Sequence, residues 1–120
     1  MNGILYSCNF AIMSLLYIVP TPIGNLEDIS YRCLSILKQV DYVLAEDTRV
    51  TKKIFSKYDI STPLSSFHIY NEHKVLKKWI NTLTNNKQVA LVSDAGTPAI
   101  SDPGFLLVRE CINNNIEVIC

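Results

Sequence analysis

The chain carries no charged side chain before Glu27, and its 120 residues include only four glycines, four cysteines and two histidines. Each scarcity excludes something. With Gly only at 3, 24, 96 and 104, neither a Gly-x-Gly-x-x-Gly dinucleotide fingerprint nor a Gly-Lys-Ser/Thr phosphate loop exists. Cys8, Cys33, Cys111 and Cys120 form no Cys-x-x-Cys pair. No zinc or redox motif and no compact disulfide framework fits that spacing, so reduced thiols are expected. His68 and His73 beside Glu72 lack a third ligand at a suitable spacing, and no metal is expected. Eleven Lys plus Arg balance eleven Asp plus Glu. That excludes a basic nucleic-acid arm or an acidic tail but leaves room for a local basic patch. Residues 4–19 are mostly apolar, yet Asn9 interrupts the run and it falls short of the ~20 residues of a spanning helix. No Lys or Arg precedes it, as a secretory signal would require. The expectation is a cytoplasmic protein with no membrane partner, residues 1–13 being an unstructured extension and 14–120 the fold.

What remains is a globular chain of one domain's length, 48% apolar and 18% charged. Leu15 to Val19 is a short apolar run closed by Pro20, which signals a buried strand. Tyr42 to Ala45 is a second, Pro63 to Phe67 a weaker third, Val89 to Val92 a strong fourth and Ile116 to Cys120 a fifth. Unbroken apolar runs suit a parallel sheet covered on both faces. Helical patterns fall between them, over 30–39, 49–57, 72–84 and 104–113. Val75, Leu76, Trp79, Ile80 and Leu83 make one stripe; Val50, Ile54 and Tyr58 oppose Arg49, Lys52, Lys53 and Lys57. The sum is an open α/β sheet with right-handed crossovers. The chain stops inside its fifth strand, which hints at a fragment.

Ligands of such sheets bind beyond the carboxyl ends of the strands, where strand order reverses. Three loops there are dense in Pro, Gly, Asp and Thr. The first, Pro20 to Asp28, is stiffened by two prolines, with Gly24 free to approach a ligand closely. The second is Glu46-Asp47-Thr48-Arg49, where Asp47 or Thr48 also suits a helix cap. The third runs from Ser93 to Gly104. Asp102-Pro103 in it reads as N-cap and first helical residue, whereas Asp94 to Pro98 has no structural explanation.

Pro20-Thr21-Pro22-Ile23-Gly24-Asn25-Leu26 with Asp28-Ile29, Ala45-Glu46-Asp47-Thr48-Arg49, and Val92-Ser93-Asp94-Ala95-Gly96-Thr97-Pro98 with Ser101-Asp102-Pro103-Gly104 are very specific in this order. From about Ser14 onward the chain resembles the amino-terminal half of the 16S ribosomal RNA cytidine 2′-O-methyltransferases, within the tetrapyrrole methylase superfamily. The resemblance implies a five-stranded parallel sheet in the order 3-2-4-1-5 with four helices. It also implies S-adenosylmethionine held between two lobes and methyl transfer to a ribose hydroxyl of 16S rRNA in the small ribosomal subunit, with a homodimer as a further expectation and no DNA partner. By motif position, Pro20, Thr21, Asp94, Ala95, Gly96 and Thr97 are assigned to the cofactor. Glu46, Asp47 and Arg49 are assigned to substrate orientation or proton transfer, and Arg49, Lys52, Lys53 and Lys57 to RNA phosphates. Tyr70 stands where many relatives have a second His, and the family's Pro-Gly-Pro-Ser motif and second lobe are absent from this sequence. Two rivals stand beside this reading: methylation of a tetrapyrrole by the same fold, and a catalytically silent fragment.

Overall fold

The computed structural model describes residues 14–20, 29–67, 72–93 and 102–119. Five strands alternate with four helices: β1 (Leu15–Pro20), α1 (Tyr31–Gln39), β2 (Tyr42–Ala45), α2 (Thr48–Lys57), β3 (Leu64–Ser66), α3 (Glu72–Thr84), β4 (Gln88–Ser93), α4 (Asp102–Asn113) and β5 (Glu117–Ile119). All strand pairs are parallel, in the order β3-β2-β4-β1-β5. The expected rhythm and strand order both hold.

Residues alternate between the faces of the sheet, and each face has its own core. Val19, Val43, Ala45, Ala90 and Val92 pack under α1 and α2 with Leu37, Val40, Ile54 and Phe55. Leu16, Ile18, Leu44, Val89 and Leu91 pack under α3 and α4 with Trp79, Leu83, Leu107 and Cys111. Two-sided burial is why the strands read as continuous apolar runs. Tyr42 meets Trp79 edge-on with ring centroids 5.4 Å apart. At the amino edge Asp41 ties β2 to β4: its amide donates to the Gln88 carbonyl, and its Oδ2 accepts from the Gln88 amide, both at 2.8 Å.

The scarcity of glycine shows at the helix ends. Asp59, Asn86 and Asn115 take the left-handed conformation there, with φ of 57°, 62° and 60°. Asp and Asn tolerate it better than other residues with a Cβ. After α4, the Ile116 amide bonds the Cys111 carbonyl at 2.8 Å and the Asn115 amide bonds that of Ile112 at 3.2 Å, a Schellman closure. After α2, the Ile60 amide reaches the Phe55 carbonyl at 2.9 Å. Ile60 and Ile116 are both buried, which sets the angle at which the chain leaves each helix.

Candidate active site at the carboxyl edge of the sheet

β1 feeds α1 and runs toward β2; β4 feeds α4 and runs toward β5. These connections diverge from neighbouring strands, so the reversal of strand order lies between β1 and β4. Pro20 and Ser93, the last residues of the two strands, are register partners. The chain therefore enters the first and third motif loops from adjacent points. Thr21, Asp94, Ala95, Gly96 and Thr97 themselves lie outside the described residues.

The second motif is described. Ala45 closes β2 as the register partner of Val92, placing Glu46 one residue beyond, on the same edge. Glu46 is half-buried and has no hydrogen-bond or ion-pair partner among the described residues. Asp47 caps α2: its Oδ1 accepts from the Arg49 amide at 3.0 Å. The same carboxylate takes both arms of the Arg49 side chain, from Nε at 3.1 Å and from Nη2 at 3.2 Å. The Arg49 side chain beside Asp47, reinforced by the Arg49 amide, holds that carboxyl below the usual carboxylate range. The same contact raises the Arg49 guanidinium, whose side chain is 87% exposed. Within four residues the motif thus carries a cation held by Asp47 and a carboxylate, Glu46, that no other described residue bonds.

Of the expected basic face, Lys52 and Lys53 are exposed about one turn beyond Arg49. Lys57 is separated from them by a further turn, toward the amino edge, and sits 5.9 Å over the Tyr58 ring. The four cations line one helix, but only Arg49 stands at its carboxyl-edge end.

Beside the end of β1 is a cleft of about 250 Å³, lined chiefly by Tyr17, Val19, Pro20, Arg32, Cys33 and Ile119. The start of α1 is fixed against it. Ser30 caps the helix by accepting from the Cys33 amide at 3.2 Å, and the Cys33 thiol donates to the Pro20 carbonyl at 3.9 Å. Arg32 and Cys33 were not singled out in the sequence. A capping serine two positions before an arginine was the available signal, and it pointed only to a helix start. Among the described residues there is no group of three or more His, Cys, Asp and Glu able to hold a metal, and no helix long and apolar enough to cross a membrane.

Residues 15–119 match the family profile of tetrapyrrole (corrin/porphyrin) methylases. The chain belongs to that family. Ribosomal RNA small subunit methyltransferase I of Thermotoga maritima is 54% identical over 106 residues, covering 88% of this chain and 48% of the relative. The protein of the same name from Mycoplasmopsis pulmonis is 50% identical over 106 residues, with the same coverage. That from Bacillus subtilis is 53% identical over 98 residues, covering 82% of this chain and 34% of the relative. This methylase chain thus spans half or less of the length of these curated relatives. Two solved structures share the fold at 15% identity. Uroporphyrin III C-methyl transferase from Thermus thermophilus has a TM-score of 0.67 over 88% of this chain and 46% of its own. Diphthine synthase has a TM-score of 0.68 over 88% and 42%.

Proposed function

We propose that this chain is the amino-terminal lobe of an S-adenosylmethionine-dependent methyltransferase acting on a cytidine ribose 2′-hydroxyl of 16S rRNA in the small ribosomal subunit, in the cytoplasm. The observation that carries the reading is the convergence of three motifs on one edge, through the Pro20–Ser93 and Ala45–Val92 register pairs. The names of the curated relatives support the ribosomal substrate. The cleft beside β1, whose lining is mostly apolar, suits the apolar parts of S-adenosylmethionine.

Bound S-adenosylmethionine supplies an electrophilic methyl group. Pro20, Thr21, Asp94, Ala95, Gly96 and Thr97 hold it, by motif position. Glu46 accepts the hydroxyl proton, since no described partner occupies its carboxylate. Arg49 holds the Asp47 carboxyl below the usual carboxylate range, which makes it a poor proton acceptor. Its role is to aim the Arg49 guanidinium at a substrate phosphate, with Lys52, Lys53 and Lys57 adding phosphate contacts along the helix.

Calorimetric titration of S-adenosylmethionine into the wild-type chain and Asp94→Ala tests the cofactor assignment. Weaker binding at an unchanged melting temperature is expected. Unchanged affinity, or loss of the fold with intact intrinsic affinity, contradicts it. The silent-fragment reading has its own support, since the chain matches half or less of its relatives. We infer that this lobe offers one wall of the cofactor cleft, and that a second body of protein, in cis or from a second copy, completes it.

A further inference from the structure

Among the described residues three large apolar side chains are exposed: Tyr31 at 90%, Phe105 at 57% and Ile112 at 62%. Phe105 and Ile112 lie on α4, on the α3–α4 side of the sheet. Tyr31 stands apart from them as the first residue of α1, at the carboxyl edge and on the side that α2 also covers. Its sequence neighbour is Arg32, an exposed cation lining the cleft beside β1. Arg49 heads α2 on the same edge, two strands away, about 10 Å at ordinary strand spacing.

We propose that Tyr31 is a stacking platform for an unpaired base of the RNA substrate, flanked by Arg32 and Arg49 as phosphate-binding cations; this rests on the RNA reading above. Single-stranded RNA is held by this combination, an aromatic face for the base and cations for the backbone. A tyrosine serves well because fixing it costs only two side-chain torsions. The backbone beneath it is already fixed. Ser30 caps the helix through the Cys33 amide and accepts the Leu34 amide at its carbonyl, at 3.1 Å. Ile29, just before the cap, is buried in the same core as Leu34, a hydrophobic staple. The Cys33 thiol ties the first turn to the end of β1. The exposed ring is therefore carried by a rigid support beside the reversal point, where a base adjoining the target ribose would lie.

The test is binding of a short cytidine-containing single-stranded oligoribonucleotide to the 120-residue chain, measured by fluorescence anisotropy over a series of salt concentrations. Tyr31→Leu, Tyr31→Phe and the double variant Lys52→Gln/Lys53→Gln are compared, with melting curves and light scattering on each. Tyr31→Leu should weaken binding about tenfold, the loss of one stacked base, at an unchanged salt slope, and Tyr31→Phe should restore it. The double variant should instead flatten the salt slope by up to about two. Wild-type affinity in Tyr31→Leu overturns the inference and leaves the RNA reading standing. So does loss of self-association in Tyr31→Leu at constant RNA affinity, which would make the ring a protein contact. Failure of the wild-type chain to bind RNA overturns both.

Discussion

Asp47 and Thr51, one helical turn apart, show opposite ways of placing a polar group. The Asp47 carboxylate spends its oxygens on the helix start and on Arg49. Because its folded pKa is depressed, the stabilisation it lends is present above the unfolded value, near 4, and disappears as pH falls through the folded value. The pair is exposed, so the effect is small and salt-screened. Thr51 is fully buried, and its Oγ1 has no hydrogen-bond partner among the described residues. A buried hydroxyl without a partner costs free energy that an isosteric methyl does not. Thr51→Val should therefore raise stability, by about 1 kcal/mol in urea denaturation. A loss of stability would reveal a partner for that hydroxyl. Cys111 is buried as well. Burial first, and the Glu110 charge second, push its thiol up to about 12, so it remains protonated and serves as core.

At the scale of elements, the chain states its helices and strands plainly but not how each helix stops. Apolar periodicity located the elements because β1, β2 and β4 are largely buried and each helix shows the core one stripe, while the partly buried edge strands β3 and β5 are shorter. Ser30 was legible as a cap, whereas Glu46-Asp47-Thr48-Arg49 left the capping residue open between Asp47 and Thr48. The structure settles on Asp47, whose carboxylate accepts from both the Arg49 amide and the Arg49 side chain. Asp102 begins α4 and lies inside it, one position later than a cap. The left-handed positions at Asp59, Asn86 and Asn115 were invisible as such, because a search for helix stops looks first for glycine. They yield a direct check. A β-branched residue at Asn115 cannot relax into φ of 60°, so Asn115→Val should destabilise the fold by about 1–2 kcal/mol. Asn115→Gly should not. Equal melting temperatures for the two variants would show that the α4–β5 closure is not held by that conformation.

For the whole molecule, legibility divides along the same physical line. Strand order 3-2-4-1-5 followed from a resemblance carried by loops, not from periodicity, which leaves order undetermined. The sheet bears it out. Within the site, the sequence marked Glu46, Asp47 and Arg49 but not Tyr31, Arg32 or Cys33, since exposure and cleft lining depend on how α1 docks against β1. A cleft lies beside β1 and β5 on the α1 side, and the chain spans half or less of the length of the curated relatives it matches. In-line methyl transfer needs both reactants held in a narrow geometry. The purified 120-residue chain should therefore give no methyl incorporation into small ribosomal subunits with labelled S-adenosylmethionine. Robust turnover by a monomer would mean that this lobe carries the entire site.

The proposed activity leaves a mark in the cell that does not depend on isolating any lobe. Mass spectrometry of nuclease-digested 16S rRNA, from cells with and without the gene encoding this chain, reads it directly. One cytidine should lose a single ribose methyl group in the deletion strain and regain it on complementation. An identical set of ribose-methylated cytidines in the two strains would contradict the assignment of this methylase to ribosomal RNA.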